Sequence, residues 1–151
     1  MKRTISKIAV LGSGIMGSRI VCHFANTGSR VVLLDIAPAA LTPEEEAKGL
    51  NLSAPLVRNR IVNASLQQTL KSSPSPVYDK RVAGLITTGN FSDDLQQLSD
   101  CDWIVEAVVE NLDIKRKLFE QVEQYRKPGA LVTSNTSGIP IALMAEGRSE
   151  D

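Results

Sequence analysis

The segment Gly12-Ser13-Gly14-Ile15-Met16-Gly17 lies between an apolar run, Ile8-Ala9-Val10-Leu11, and a stretch of helical spacing, and it constrains the fold more than any other feature. An unbroken apolar run that enters a glycine cluster reads as a parallel strand covered on both faces. From Ile15 the positions Met16, Ile20, Val21, Phe24 and Ala25 follow a helical period, and Asn26-Thr27-Gly28 ends it with glycine at a left-handed cap. Arg30 to Asp35 then reads as a second strand. Strand, helix and strand fit within thirty residues, the length of one right-handed βαβ unit. Each glycine has its own reason: Gly12 for a tight turn, Gly14 for close approach of the backbone to a ligand, and Gly17 for close helix-to-strand packing.

A helix N-terminus behind such a turn presents unpaired N–H groups and a positive dipole end, which suits a pyrophosphate. Glycine turns are common, so the companion residue matters. Asp35 lies eighteen residues after Gly17 at the end of the second strand, where a carboxylate accepts the hydroxyls of an adenosine ribose. The candidate dinucleotide site is therefore Gly12, Ser13, Gly14, Ile15, Met16 and Gly17 with Asp35. The acid would repel the 2′-phosphate of NADP, so the expected cofactor is NAD. FAD uses a similar turn, but the longer flavin-binding architecture does not fit here.

Composition narrows the partners. The 151 residues carry 17 basic and 17 acidic side chains, one His and two Cys. That describes a neutral, soluble chain with room for one domain and a core that needs no disulfide. Balanced charge and six aromatics argue against nucleic acid. No apolar stretch reaches a membrane-spanning length. Met1-Lys2-Arg3 before an apolar run resembles a leader peptide, but Lys7 and the glycines interrupt it and no cleavage site follows. Cys22 and Cys101, without metal-ligand spacing, read as buried small hydrophobes, and no metal site is expected. The expected location is the cytoplasm.

Between Asp35 and the next strand-like run, Leu85 to Thr88, lie about fifty residues. Thr42-Pro43-Glu44-Glu45 has a helix-start signature, with Glu44 to Glu46 as a solvated first turn. Leu56 to Lys71 reads as one amphipathic helix with Val57, Ile61, Ala64 and Leu70 on its apolar face. This insertion is expected to stand off the sheet edge, joined to the third strand by the Pro/Ser connector 72–76. Alternation then resumes: a short helix opens at Ser92 to Leu95, a long fourth strand runs Trp103 to Val109, and a helix over 112–127 follows Asn111 as cap, with Ile114, Leu118, Val122 and Tyr125 on one face. Ala130 to Ser134 is a fifth strand, and Pro140 suits the first turn of a last helix. The expectation is an α/β fold: a doubly wound, mostly parallel Rossmann-type sheet in three layers, αβα, with a helical insertion between strands 2 and 3.

Ligands in such sheets lie beyond the carboxyl ends of the strands, which singles out Glu110-Asn111 and Asn135-Thr136-Ser137-Gly138 as groups to meet a nicotinamide and a substrate oxygen. The plainer alternative is capping by Asn111 and a turn at 135–138. Glu106, inside a strand expected to be buried, needs a partner or a wet edge, and a structural role is expected of it. His23, alone on the first helix, is given no catalytic role.

With these residues in view, the chain resembles the NAD-binding domain of the L-3-hydroxyacyl-CoA dehydrogenases of fatty-acid β-oxidation. The match rests on 8–17, 31–35, the V-E-A-V-x-E-N segment of 102–112 and S-N-T-S at 134–137. With 63–78 these resemble most closely the multifunctional enzymes in which the dehydrogenase is fused to an enoyl-CoA hydratase. The resemblance implies Glu110 and Lys115 at the NAD site, Ser137 touching both the nicotinamide end and the substrate's 3-oxygen, Asn135 in support, and the helix around Arg58 and Arg60 near the CoA moiety.

Family members continue into a sixth strand with a G-x-H-F-F-N-P segment whose His is the general acid/base. The sequence stops at Asp151, so the polar tail 145–151 reads as a truncation point, and residues 1–151 as an incomplete NAD-binding domain without the helical domain that completes substrate binding and dimerisation. The resemblance implies oxidation of L-3-hydroxyacyl-CoA to 3-oxoacyl-CoA, with this stretch binding NAD and inactive alone. Two alternatives stand beside it: a non-catalytic NAD-sensing module, which would not need Asn135 to Ser137, and another NAD-dependent β-hydroxyacid dehydrogenase, which the long insertion argues against.

Overall fold

The computed structural model describes residues 4–149. The leader reading at Met1-Lys2-Arg3 and the last two residues of the tail, Glu150 and Asp151, fall outside them. Five strands form one all-parallel sheet: β1 (Lys7–Leu11), β2 (Arg30–Asp35), β3 (Ile86–Asn90), β4 (Trp103–Glu106) and β5 (Leu131–Ser134), in the order β3-β2-β1-β4-β5. Successive strands are added outward on one side of β1 and then on the other. The order reverses between β1 and β4, the place at the carboxyl ends where ligands bind in sheets of this kind.

The helices make the outer layers. On one face Ile8, Val10, Val31, Leu33 and Val105 pack against Val21, Cys22 and Ala25 of α1 (Ile15–Asn26). On the other, Ala9, Leu11, Val32, Leu34 and Ile104 meet Leu95 and Leu98 of a 3-10 turn (Leu95–Asp100) and Cys101. The alternation of sides along each strand gives a sheet covered on both faces, as the apolar runs require. Both cysteines are fully buried thiols, and burial pushes Cys101 up to about 11. Among the described residues no helix is long and apolar enough to cross a membrane.

The insertion departs most from expectation. It forms α2 (Pro43–Ala47), α3 (Pro55–Arg58) and α4 (Arg60–Leu70). Leu56 to Lys71 is thus two helices, broken at Asn59, whose backbone leaves the helical region at φ −102°, ψ 11°. α4 does not stand off the sheet edge: Val62 and Leu66 are buried with α1 and the β1–β2 face, whereas Ala64 is exposed. The buried face is therefore set by Val62 and Leu66, not by Ile61 and Ala64. Thr42 and Glu45 form the reciprocal capping pair, but Glu45 is turned inward to hold Arg60, so the first turn is not wholly solvated.

Other differences are smaller. The third strand starts one residue later than expected and runs on to Asn90, and the fifth starts at Leu131 rather than Ala130. On α5 (Leu112–Tyr125) the buried residues are Lys115, Leu118, Phe119 and Val122, while Ile114 and Tyr125 are exposed. A last helix, α6 (Ile141–Ala145), follows Pro140. The fourth strand ends at Glu106, three residues short of Val109. There the Glu106 carboxylate takes the Val108 N–H at 2.6 Å, diverting a donor from the ladder.

Candidate dinucleotide site

The glycine turn sits at the carboxyl end of β1, and its three glycines meet three different demands. Gly12 has φ +104°, and a Cβ there would lie 2.6 Å from the Ala107 carbonyl oxygen. At Gly17 a Cβ would lie 1.8 Å from the Gly12 oxygen, so any side chain would push α1 off the turn. At Gly14, the N-cap of α1, a Cβ would meet nothing within 4 Å. The fold needs glycine at 12 and 17. The space beside Gly14 is open, as a ligand approaching the backbone requires. No side chain caps α1, so the N–H groups of its first turn face the same opening.

Asp35 is tied to this turn. Its Oδ2 accepts from the Ser13 N–H at 2.6 Å and from the Ser13 hydroxyl, and Oδ1 accepts from the Ile36 N–H at 2.7 Å. The carboxylate is half-buried and keeps lone pairs for ribose hydroxyls. Exposed Ile15, Met16 and Ile36 flank the turn and the acid. Ile36 was not singled out by sequence, because an exposed Ile after a strand carries no signal of its own.

From Gly12 the contacts pass through Ala107, whose N–H donates to the Leu11 carbonyl at 2.8 Å, into a second cluster. Glu106 and Lys115 are both completely buried. The Lys115 ammonium donates to Glu106 Oε1 at 2.7 Å and Oε2 at 2.8 Å, and lies 3.3 Å from Glu110 Oε2. Glu106 thus has the partner its burial demanded, and no wet edge. Its Oε2 also accepts from the Ser134 hydroxyl, and its carbonyl from the Asn135 N–H at 2.7 Å. Glu110 Oε1 accepts from the Thr136 hydroxyl, the Gly138 N–H at 3.0 Å and the Ser137 N–H at 3.3 Å. The Thr136 hydroxyl first, then the Gly138 amide, with Lys115 adding to them, hold the Glu110 carboxyl down at about 2.

Two groups of the expected site residues are therefore joined in one run along the carboxyl edge: Gly12 to Gly17 with Asp35, and Glu110 with Lys115 and the loop Asn135 to Gly138. Asn135 and Ser137 are exposed, and their side chains make no hydrogen bond among the described residues. Lys115 is sealed from the open face, its three protons directed at carboxylate oxygens. Asn111 caps α5, accepting from the Ile114 N–H at 3.1 Å. Arg58 is held by Asp93, and Arg60 by Glu45 and the Ala40 carbonyl. A cavity of about 350 Å³ along β5, between Phe119 and Met144, shares only Ser134 with this run.

The model of the 3-hydroxyacyl-CoA dehydrogenase NAD binding domain matches residues 7–151. The chain belongs to that family. NAD is the cofactor the family binds, and an uncapped helix behind an open glycine turn, with an acid beside it, fits that ligand. A Bacillus subtilis protein named "Probable 3-hydroxyacyl-CoA dehydrogenase" is 50% identical over 151 residues, covering 100% of this chain and 19% of the relative. The crystal structure of 3-hydroxybutyryl-CoA dehydrogenase from Escherichia coli K12 matches at TM-score 0.63 and 26% identity, over 95% of this chain and 27% of that one. The dehydrogenase part of multifunctional enzyme 1 from C. elegans shares the fold at TM-score 0.61 and 20% identity, over 93% of this chain and 28% of that one. The chain thus spans about a fifth of the curated relative it matches, and the dehydrogenase family and three-layer α/β fold expected from sequence are both found.

Proposed function

We propose that this chain is the cofactor-binding part of a longer enzyme that oxidises L-3-hydroxyacyl-CoA to 3-oxoacyl-CoA in fatty-acid oxidation. The observation that carries the reading is the strand order: it puts the glycine turn at the reversal point between β1 and β4, with Asp35 on one side and the loop 135–138 on the other, all at carboxyl ends. The turn and α1 hold the pyrophosphate, Asp35 the adenosine ribose, and Ser137, its hydroxyl uncommitted, meets the nicotinamide end and the substrate's 3-oxygen. Lys115 acts through Glu110, whose Oε2 has Lys115 as its one partner among the described residues and can accept from a ligand. NAD, when bound, supplies the hydride acceptor.

The hydroxyl proton must go to a base. His23, the only histidine, lies in the last turn of α1 and lines a cavity with Ser134 and Asn135, but it makes no hydrogen bond to either. Acid/base chemistry is assigned to residues beyond this stretch, as the family resemblance implies. The expected result is that the 151-residue chain binds NADH in a fluorescence titration and shows no acetoacetyl-CoA reduction. Turnover by this chain alone, or absence of NADH binding, would overturn the reading. Apart from the contact of Ser137 with the 3-oxygen, substrate binding and any dimer contact are likewise assigned to the remainder of the enzyme.

A further inference from the structure

Glu106 is the hub of the buried cluster, and its chemistry exceeds what packing requires. Each of its oxygens accepts two donors: Oε1 the Val108 N–H and Lys115, Oε2 Lys115 and the Ser134 hydroxyl. Its neighbours carry that order outward. Lys115 spends its remaining proton on Glu110, Glu110 gathers Thr136, Ser137 and Gly138, and the Glu106 carbonyl fixes the Asn135 N–H. A fully buried ion pair is rarely more stable than an apolar pair of the same shape, so stability alone does not account for it.

We propose that Glu106 is a positioning residue for the nicotinamide end: through Lys115 and Glu110, and through the Ser134 hydroxyl, its side chain sets the conformation of the loop that presents Ser137. The inference rests on the functional reading above, and it adds a residue that touches no ligand. Glu106 lies on β4 and the loop follows β5, so one side chain locks two strand ends and α5 into a single arrangement. The glycine turn and Asp35 make no hydrogen bond to Glu106, Lys115, Glu110 or the loop; the turn meets this cluster only by packing of Gly12 and Gly17 against Ala107, and a glutamine at 106 keeps the acceptor for the Val108 N–H.

That independence gives the test. Glu106→Gln keeps Lys115 and an acceptor at 106 but leaves the ammonium without its counter-charge and will lower Tm, so it is read well below that Tm and beside E106Q/K115M, which removes both charges together. ADP, which engages only the glycine turn and Asp35, should bind E106Q as it binds the wild-type chain. NADH should bind both variants about tenfold more weakly, and a loss confined to E106Q/K115M would give the effect to Lys115 and not to Glu106. Amide hydrogen exchange at Asn135 to Gly138 in the ligand-free protein should quicken while the β1 and β2 amides keep their protection. Equal loss of ADP and NADH affinity, or unchanged exchange in the loop, would overturn the proposal, as would a loosened loop that binds NADH at wild-type strength. A wild-type chain that bound no NADH would sink the functional reading instead. The exchange measurement would still decide whether Glu106 orders the loop.

Discussion

At the scale of single residues, the glycine turn separates folding from binding. Gly17→Ala drives a Cβ into the Gly12 carbonyl, a backbone clash that no rotamer relieves, and should cost about 1–3 kcal/mol or more in a urea melt. Gly14→Ala adds a methyl to open space at a cap residue whose φ −58°, ψ −177° is extended backbone that any residue adopts, so the melt should move by less than about 0.5 kcal/mol. On the proposed reading the same methyl stands in the path of the pyrophosphate, and NADH affinity should fall although the fold is intact. A similar contrast applies at Asp35. Asp35→Asn keeps an acceptor for Ser13 and removes the charge, so titration should show weaker NAD binding and reduced discrimination against NADP. Asp35→Ala also frees the turn, and both dinucleotides should weaken, NAD the more.

Glu110 belongs to the same scale. Because its carboxyl is held at about 2, against an ordinary 4.5, the contribution of its charge is complete above the ordinary value and is lost only as pH falls through about 2. NADH affinity measured between about pH 5 and 8 should therefore show no step from this group. Thr136→Val, which removes the first cause of the depression, should move the Glu110 titration seen by NMR back toward the ordinary value.

Among the elements, the insertion offers the sharpest test of packing. Leu66→Ala should cost about 2–4 kcal/mol, since Leu66 is buried between α4 and the sheet, whereas Ala64→Lys on the exposed side should be nearly neutral. The reverse ranking would put α4 on the face that simple periodicity assigns to it. Much at this scale was legible: α1 and β2 begin and end where the apolar period, Gly28 and Asp35 place them. The buried face of 56–71 was legible only in part: Val57 is buried and Leu70 packs on the core as expected, but past the break at Asn59 burial falls on Val62 and Leu66 and not on Ala64. β4 was read too long because Ala107 to Val109 are as apolar as a strand, and nothing local reveals that Glu106 captures the Val108 amide. The partner of Glu106 was foreseen only as a necessity. Lys115 is nine residues on, in a polar helix, and ordinary helix patterning marks it as exposed.

For the molecule as a whole, Asp102 ties together parts far apart in the chain. It accepts first from Lys127 beyond α5 and then from the Ser6 and Lys7 N–H groups at 2.8 and 3.0 Å, and these hold its carboxyl well below the usual carboxylate range. The folded state therefore binds this proton less readily than the unfolded chain. Its stabilisation is complete above the ordinary value near 4 and is lost as pH drops below it. Asp102→Asn should lower Tm at pH 7, and the gap from wild type should close as the melts are taken toward pH 2. A gap that persisted at low pH would mean the clamp acts by shape rather than charge.

Adjacent strands stand about 4.8 Å apart, so β2, with Asp35 at its tip, and β5, which leads into Ser137, are separated by three such steps, about 14 Å. The sheet is in effect a ruler. On the proposed reading a mononucleotide would reach only one mark on it, while a molecule long enough to touch both would be held at two points at once, the second hold favoured by the first. Selection would then be by length before it is by chemistry.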